Sequence, residues 1–362
     1  MMTRWEIAHR RLHTQRIAGA KFATPGAVVQ WLGAVQAQEY AGAKWAVGQR
    51  MRDATDAALD QALSDGTILR THVMRPTWHF VVPADIRWLL ALTAPRVKAA
   101  SAYYDRQRAL DDTTFARSNA ALANALQGGA HLTRAELASV LQHAGIATDD
   151  LRLGSLVMHA ELDGVICSGA RRDKQFTYAL LDERAPRVAT LARDEALAEL
   201  TRRYMTSHGP ATVQDFVWWS GLTMADAKAG LAMIESELIR DVVDGRTYWF
   251  AASAPIASDP SPTVYLLPNY DEYIVGYTDR RAALDALPAD RLDARGNVLF
   301  NHTIVLDGQV VGTWKRTVTK SAVIVEVTPF APLSATEAAA LAVAVARYGR
   351  FIGLPAVLRV SQ

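Results

Sequence analysis

The amino-acid sequence predicts an α+β fold in which three units of like order precede a β-rich C-terminal domain. Two observations carry this. Helix-capping signals, apolar residues at helical spacing and a pair of β-rich runs recur three times in residues 1–252. After a Pro/Ser-rich stretch, Ser253–Thr263, strand-like runs dominate instead.

The first unit opens at Thr24-Pro25, an N-cap residue followed by Pro at the first helical position. Val28, Trp31, Leu32 and Val35 follow at helical spacing, which predicts a helix ending around Gln38. A second helix is expected from about Thr55 to Ser64. The runs Ile68–Met74 and Trp78–Val82 then read as a hairpin with Arg75-Pro76-Thr77 as its turn. In the second unit Thr133 and Glu136 have capping-box spacing, Gly145 ends the helix, and a further helix spans 153–164. Strand, polar turn and strand follow over 165–181, with Arg171, Arg172 and Lys174 in the turn. The third unit starts at Thr212 and Asp215, turns at Ser220-Gly221 and restarts at Thr223 and Asp226. It closes with a hairpin at Asp244-Gly245, a dipeptide suited to a two-residue turn.

Helix, turn, helix, hairpin is the winged-helix arrangement, here three times in tandem. Helical linkers are expected from about 84 to 110 and from about 185 to 207. The units are therefore placed at 1–108, 109–184 and 185–252, and the C-terminal domain at 262–362. Within it, TVYLLP, EYIVGY, NHTIVLDGQVVGTWKR and SAVIVEVTPF read as strands, with Gly308 and Gly312 at turns or bulges. An Ala-rich helix opens at Ser334 and Glu337.

Composition bounds the function. A chain of 362 residues exceeds one ordinary core, and with 50% hydrophobic and 21% charged residues it reads as globular. No apolar run is long enough to span a membrane, and MMTRWEIAHRRLH is not an apolar signal segment, so the cytoplasm is the expected compartment, with nucleoid association when DNA is bound. Cys167 is the sole cysteine, which excludes an internal disulfide and a cysteine-cluster zinc site. No glycine-rich nucleotide loop, HExxH, CxxC or GxSxG is present, and the 9 histidines lack metal spacing, so neither cofactor nor metal is expected. Net charge is only +2, but residues 1–50 hold seven basic side chains against two acidic, an end that could meet phosphate or simply form a solvated helix face.

The candidate site is Gln36 and Gln38, two amides at the end of an apolar stretch. On an ideal helix, residues two apart point about 200° apart. They share one space only if the chain extends there with Ala37 turned away; otherwise they cap helix carbonyls or bond a loop. Arg70, His72, Arg75, Thr77 and His79 crowd the first hairpin, which reads either as a wing entering a DNA groove or as one packed inward. Arg171, Arg172 and Lys174 fit phosphate contact or an ordinary exposed turn. Trp218-Trp219 reads as core. Asp271 and Glu272 are read as structural, since adjacent strand residues face opposite sides.

With these residues placed, the chain resembles the AlkZ/YcaQ-type winged-helix DNA glycosylases over nearly its whole length. The resemblance rests on QAQ at Gln36–Gln38, on VMRPTWHFV at Val73–Val81, and on LLPNYDEYIVGY followed by GTWKR. Gln38 matches the Gln–apolar–Gln motif of the AlkZ branch; Pro76 stands where glycine is expected in the hairpin. The resemblance implies that Gln36 and Gln38 are catalytic, that Lys315 and Arg316 join the hairpin and second-wing residues in holding DNA, and that the modules surround a basic channel. It also implies excision of bulky N-alkylated purines from double-stranded DNA, and unhooking of interstrand crosslinks, by a monomer. A regulator that binds DNA through its winged helices without catalysis is the alternative.

An amide cannot transfer protons at neutral pH; it only donates and accepts hydrogen bonds. Glycosidases ordinarily use two carboxylates. An N3- or N7-alkylated purine is already cationic and leaves without an acid, so two amides that place a water suit such a substrate and should fail on neutral purines.

Overall fold

The computed structural model describes residues 2–185, 187, 191–252, 261–285 and 302–361. Most of the Ser253–Thr263 linker and the start of the run at Asn301 lie outside the described residues. A leading helix, α1 (Arg4–Thr14), is closed by a capping box between Thr3 and Glu6. The first unit comprises α2 (Pro25–Leu32), β1 (Val35–Gln36), α3 (Tyr40–Gln49), α4 (Asp56–Ser64), β2 (Leu69–Val73) and β3 (Arg75–Val81), its strands ordered β1-β3-β2. α5 (Pro83–Gln107) leads to the second unit: α6 (Asp112–Ala125), β4 (Leu132–Thr133), α7 (Arg134–His143), α8 (Asp150–Leu162), β5 (Ile166–Ser168), β6 (Thr177–Leu180) and α9 (Leu181–Arg184). The third has α10 (Arg193–His208), α11 (Val213–Ser220), α12 (Met224–Ile234), β7 (Leu238–Val243) and β8 (Arg246–Ala251). Beyond it come β9 (Val264–Leu267), α13 (Glu272–Val275), α14 (Arg281–Leu284), β10 (Thr303–Leu306), β11 (Gln309–Val318), β12 (Val323–Pro329), α15 (Ala335–Ile352) and β13 (Ala356–Val360). These last strands form one sheet ordered β13-β12-β11-β10-β9, with β13 parallel to β12 across α15.

Around the candidate site the elements depart from the sequence reading. α2 stops at Leu32 rather than near Gln38, because Gly33 takes a φ of 80°, a conformation open to glycine without strain. α3 then begins at once, capped by Glu39, in a stretch where no helix was expected. It is buried from Gly42 to Gln49, and a helix lacking a polar face shows no 3.6-residue alternation. The run EYIVGY is not a strand but a helical turn, because the Asp271 side chain accepts the Tyr273 N–H at 2.9 Å and caps α13.

Packing brings distant parts of the chain together. One apolar cluster joins Val35, Trp45 and Phe80 of the first unit to Leu266, Trp314 and Tyr348 of the C-terminal sheet. Trp45 anchors it, donating its indole N–H to the Leu266 carbonyl at 2.7 Å and packing edge-on to Tyr348. A second cluster joins Leu69, Val73 and Met74 of the first hairpin to Tyr204, Phe216 and Trp219 of the third unit. The second unit keeps a core of its own around Leu122, Leu137, Leu156 and Ile166. The segment after Gly33 thus sits where the first unit, the third unit and the C-terminal sheet meet. No helix among the described residues is long and apolar enough to cross a membrane.

Candidate active site

Past Gly33 the chain extends as β1, antiparallel to β3, with Gln36 opposite His79. Ala37 prolongs the ladder by donating its N–H to the Trp78 carbonyl at 2.7 Å, and its side chain is buried. Gln36 is the last residue of the strand, and Gln38 follows two residues on, in a bend. They differ in setting. Gln36 is 6% exposed and its Oε1 accepts from Arg75 Nη2 at 3.0 Å. Gln38 is exposed and its Oε1 meets the Trp78 N–H at 3.4 Å.

Behind Gln36 stands a carboxylate that the sequence reading set aside. Glu272 is wholly buried. Its Oε1 accepts the Gln36 backbone N–H at 2.9 Å, and its Oε2 accepts the Trp219 indole N–H at 2.9 Å and faces His208 Nε2 at 3.3 Å. Burial favours the neutral acid, but the His208 hydrogen bond and charge, the Gln36 N–H and the Arg75 charge outweigh it and hold the carboxyl down at about 2. The contact with His208 needs Gly276, where a Cβ would lie 2.9 Å from His208 Cδ2. An acidic pair inside the otherwise apolar LLPNYDEYIVGY was the available signal, since a buried charge must find partners. Reading the run as a strand hid it. Asp271 points elsewhere, to Arg50, through two bonds of 2.9 Å.

The first hairpin is internal. Its turn lies at Met74, with a φ of 65°, and Val73 pairs with Arg75, so Arg75-Pro76-Thr77 belong to β3 rather than to the turn. Pro76 falls in a register irregularity where β3 lacks a paired residue, a place that tolerates proline. The tip is covered by the third unit: Gly221 lies so close that a Cβ would overlap the Met74 carbonyl. Arg75 therefore does not reach outward from a turn; it braces Gln36. His79 is buried, and burial first, then Arg75, pushes its imidazole down to about 3. Its Nδ1 donates to the Thr77 carbonyl at 3.0 Å, while His79 Nε2, Thr71 Oγ1, Thr77 Oγ1 and Arg75 Nε are buried with no hydrogen-bond partner among the described residues.

The other expected DNA contacts are mostly engaged within the protein. Arg70 is buried, its guanidinium 4.3 Å from the centre of Trp78 and 4.6 Å from that of Phe176, and its Nε donates to the Ala37 carbonyl at 3.1 Å. His72 is buried against Glu161. Arg171 reaches Asp60 at 3.2 Å and Arg172 reaches Glu136 at 2.8 Å. Arg316 donates to the Tyr348 hydroxyl at 2.9 Å and lies 3.4 Å from Glu39. Lys174 and Lys315 are exposed. The N-terminal basic excess is also largely internal, because Arg4, Arg11, Lys44 and Arg50 pair with Asp244, Asp215, Asp56 and Asp271 respectively. Arg4 is the surface member of the four, whereas Arg11, Lys44 and Arg50 are buried. Among the described residues no group of three or more His, Cys, Asp or Glu side chains is placed to hold a metal ion.

A family model described as DNA glycosylase AlkZ-like matches residues 29–351, a span that takes in both glutamines and Glu272. The chain is 26% identical over 308 residues to an interstrand DNA cross-link repair glycosylase of Streptomyces sahachiroi, covering 80% of this chain and 81% of that protein. The solved structure of Streptomyces sahachiroi DNA glycosylase AlkZ is similar with a TM-score of 0.82, over 99% of this chain and 100% of that one, at 23% sequence identity. That likeness establishes a shared fold.

Proposed function

This chain belongs to the AlkZ-like DNA glycosylase family, and from that premise we propose that it hydrolyses the N-glycosidic bond of N3- and N7-alkylated purines in duplex DNA, with Gln36 and Gln38 placing the attacking water. The observation that carries the reading is the bracing of Gln36. Its backbone is held by Glu272, its side-chain oxygen by Arg75, and Gln38 follows two residues on, exposed to solvent. A carbonyl oxygen has two lone pairs, so Gln36 Oε1 can accept from Arg75 and from a water together. Nothing in this pair extracts a proton. The chemistry suits a leaving base that is already cationic, where the water attacks a sugar carrying most of the developing charge. The relative's named role in interstrand cross-link repair extends the proposal to crosslinked purines, whose alkylated N7 is equally cationic.

The test is release of base from duplex DNA carrying N7-methylguanine. Gln36→Ala together with Gln38→Ala is expected to lower the rate by roughly a hundredfold, the order that misplacing a reactant costs. A double variant that retains wild-type release overturns the assignment.

A further inference from the structure

We propose that Glu272 is a positioning residue of the glycosylase reaction, fixing Gln36 and cancelling the charge of Arg75 beside the reacting sugar. The inference rests on the reading of Gln36 given above and goes beyond it.

Arg75 creates a difficulty that Glu272 resolves. A guanidinium bonded to the Gln36 amide orients it well, because its donors lie in a rigid fork. The same guanidinium is a full positive charge next to a sugar that becomes positive in the transition state. Charges in a poorly solvated site are weakly screened, so an unbalanced Arg75 would oppose the reaction it helps to organise. Glu272 is the carboxylate that shares Gln36 with it, taking the backbone N–H at 2.9 Å while Arg75 holds the side-chain oxygen at 3.0 Å. Three donors from three parts of the chain, Gln36 N–H, Trp219 Nε1–H and His208 Nε2, converge on its two oxygens. Their geometry keeps the carboxylate still, and a fixed negative charge needs no reorganisation as the sugar ionises. Glu272 is buried behind β1, so it acts through Gln36 and through its field rather than by touching substrate.

The experiment separates field from scaffold. Binding is measured to duplex DNA carrying, at the lesion, either a cationic pyrrolidine in place of the sugar or an uncharged tetrahydrofuran. The affinity ratio between the two reports the potential at the site and cancels losses common to both. Glu272→Gln, which keeps the shape and one acceptor but removes the charge, is expected to lower the ratio roughly tenfold or more. Arg75→Met is expected to raise it, since Glu272 is then unopposed. Base release from N7-methylguanine DNA completes the comparison: Glu272→Gln lowers kcat with little change in KM, while Arg75→Met, which also unbraces Gln36, is read by the affinity ratio alone. Should Glu272→Gln fail to fold, the Arg75→Met ratio alone decides the question. A ratio unmoved by Arg75→Met, or unmoved by a folded Glu272→Gln, overturns the inference. If instead Gln36→Ala leaves base release intact, it is the assignment of the glutamines that fails.

Discussion

The two glutamines differ in environment, and under the proposed reaction the difference makes their contributions separable. Gln36 is enclosed between Arg75 and Glu272 and has one usable orientation. Gln38 is exposed, held only by a long contact to the Trp78 N–H. A carboxylate at position 38 can still accept that N–H and, unlike an amide, can take a proton from water. Gln38→Glu is therefore expected to keep base release from N7-methylguanine DNA and to add a rise of rate with pH through the ordinary carboxylate range, about 4–5. Loss of activity as complete as in Gln38→Ala would show that position 38 needs an amide donor instead. Histidines supply a second residue-level expectation. Burial pushes His79 down to about 3 and His302 to about 4, so both are neutral in the folded chain and protonate more readily unfolded. The unfolded state then binds more protons between those values and about 6.5, and stability must fall as pH falls through that window. Each fully titrating histidine contributes about 1.4 kcal/mol per pH unit there. Thermal melts from pH 7 to 4.5 should show the decline, shallower in His79→Gln; melting temperatures independent of pH over that range would contradict it.

At the scale of elements, the placement of the wing decides what its residues do. Because Gly221 presses on Met74, the tip of the first hairpin is held from the third unit's side. Gly221 also has a φ of 71°. Gly221→Ala meets both the left-handed backbone and the Met74 carbonyl, so a loss of roughly 1–3 kcal/mol is expected, with Arg75 displaced and base release reduced alongside the lower melting temperature. An alanine variant as stable and active as the parent would mean that the tip is not held there. The capped elements were legible in the sequence: α7, α11, α12 and α15 start at capping boxes of Thr133, Thr212, Thr223 and Ser334. Asp244-Gly245 turns with the two positive φ values, 49° and 72°, that the dipeptide suggested. What sequence patterns missed was set by burial and tertiary contact. α3 has no polar face to give it a period, and α13 is made helical by one Asp271 cap. Arg75 looked like a turn residue because Pro76 follows it, yet the left-handed position is taken by Met74. The motif at Gln36–Gln38 was visible; its brace was not, since Glu272 lies 236 residues further along the chain.

Across the whole molecule, charge counted along the chain proved a poor guide to charge displayed. The seven basic residues of the first fifty suggested a phosphate-binding end, but Arg11 and Arg50 are buried in ion pairs and Lys44 spans Asp56 and Asp60. Burying such a cation without its partner is costly, so Arg11 and Arg50 tie distant parts of the chain together and Lys44 ties α3 to α4. A glycosylase must still grip duplex DNA, and the grip falls to exposed cations outside these pairs. Lys174 on the second wing and Lys315 on β11 are two of them. Each phosphate neutralised lowers the slope of log Kobs against log salt by about 0.9 for B-form DNA. Lys174→Ala and Lys315→Ala are thus each expected to weaken binding to unmodified duplex and to flatten that slope by about 0.9 while leaving the melting temperature unchanged. Arg50→Ala is expected to do the reverse, lowering the melting temperature by stranding Asp271 in the interior. Titrations at several salt concentrations decide between the two kinds of cation, and a slope unaltered by either lysine change would move the DNA path away from the second wing and β11.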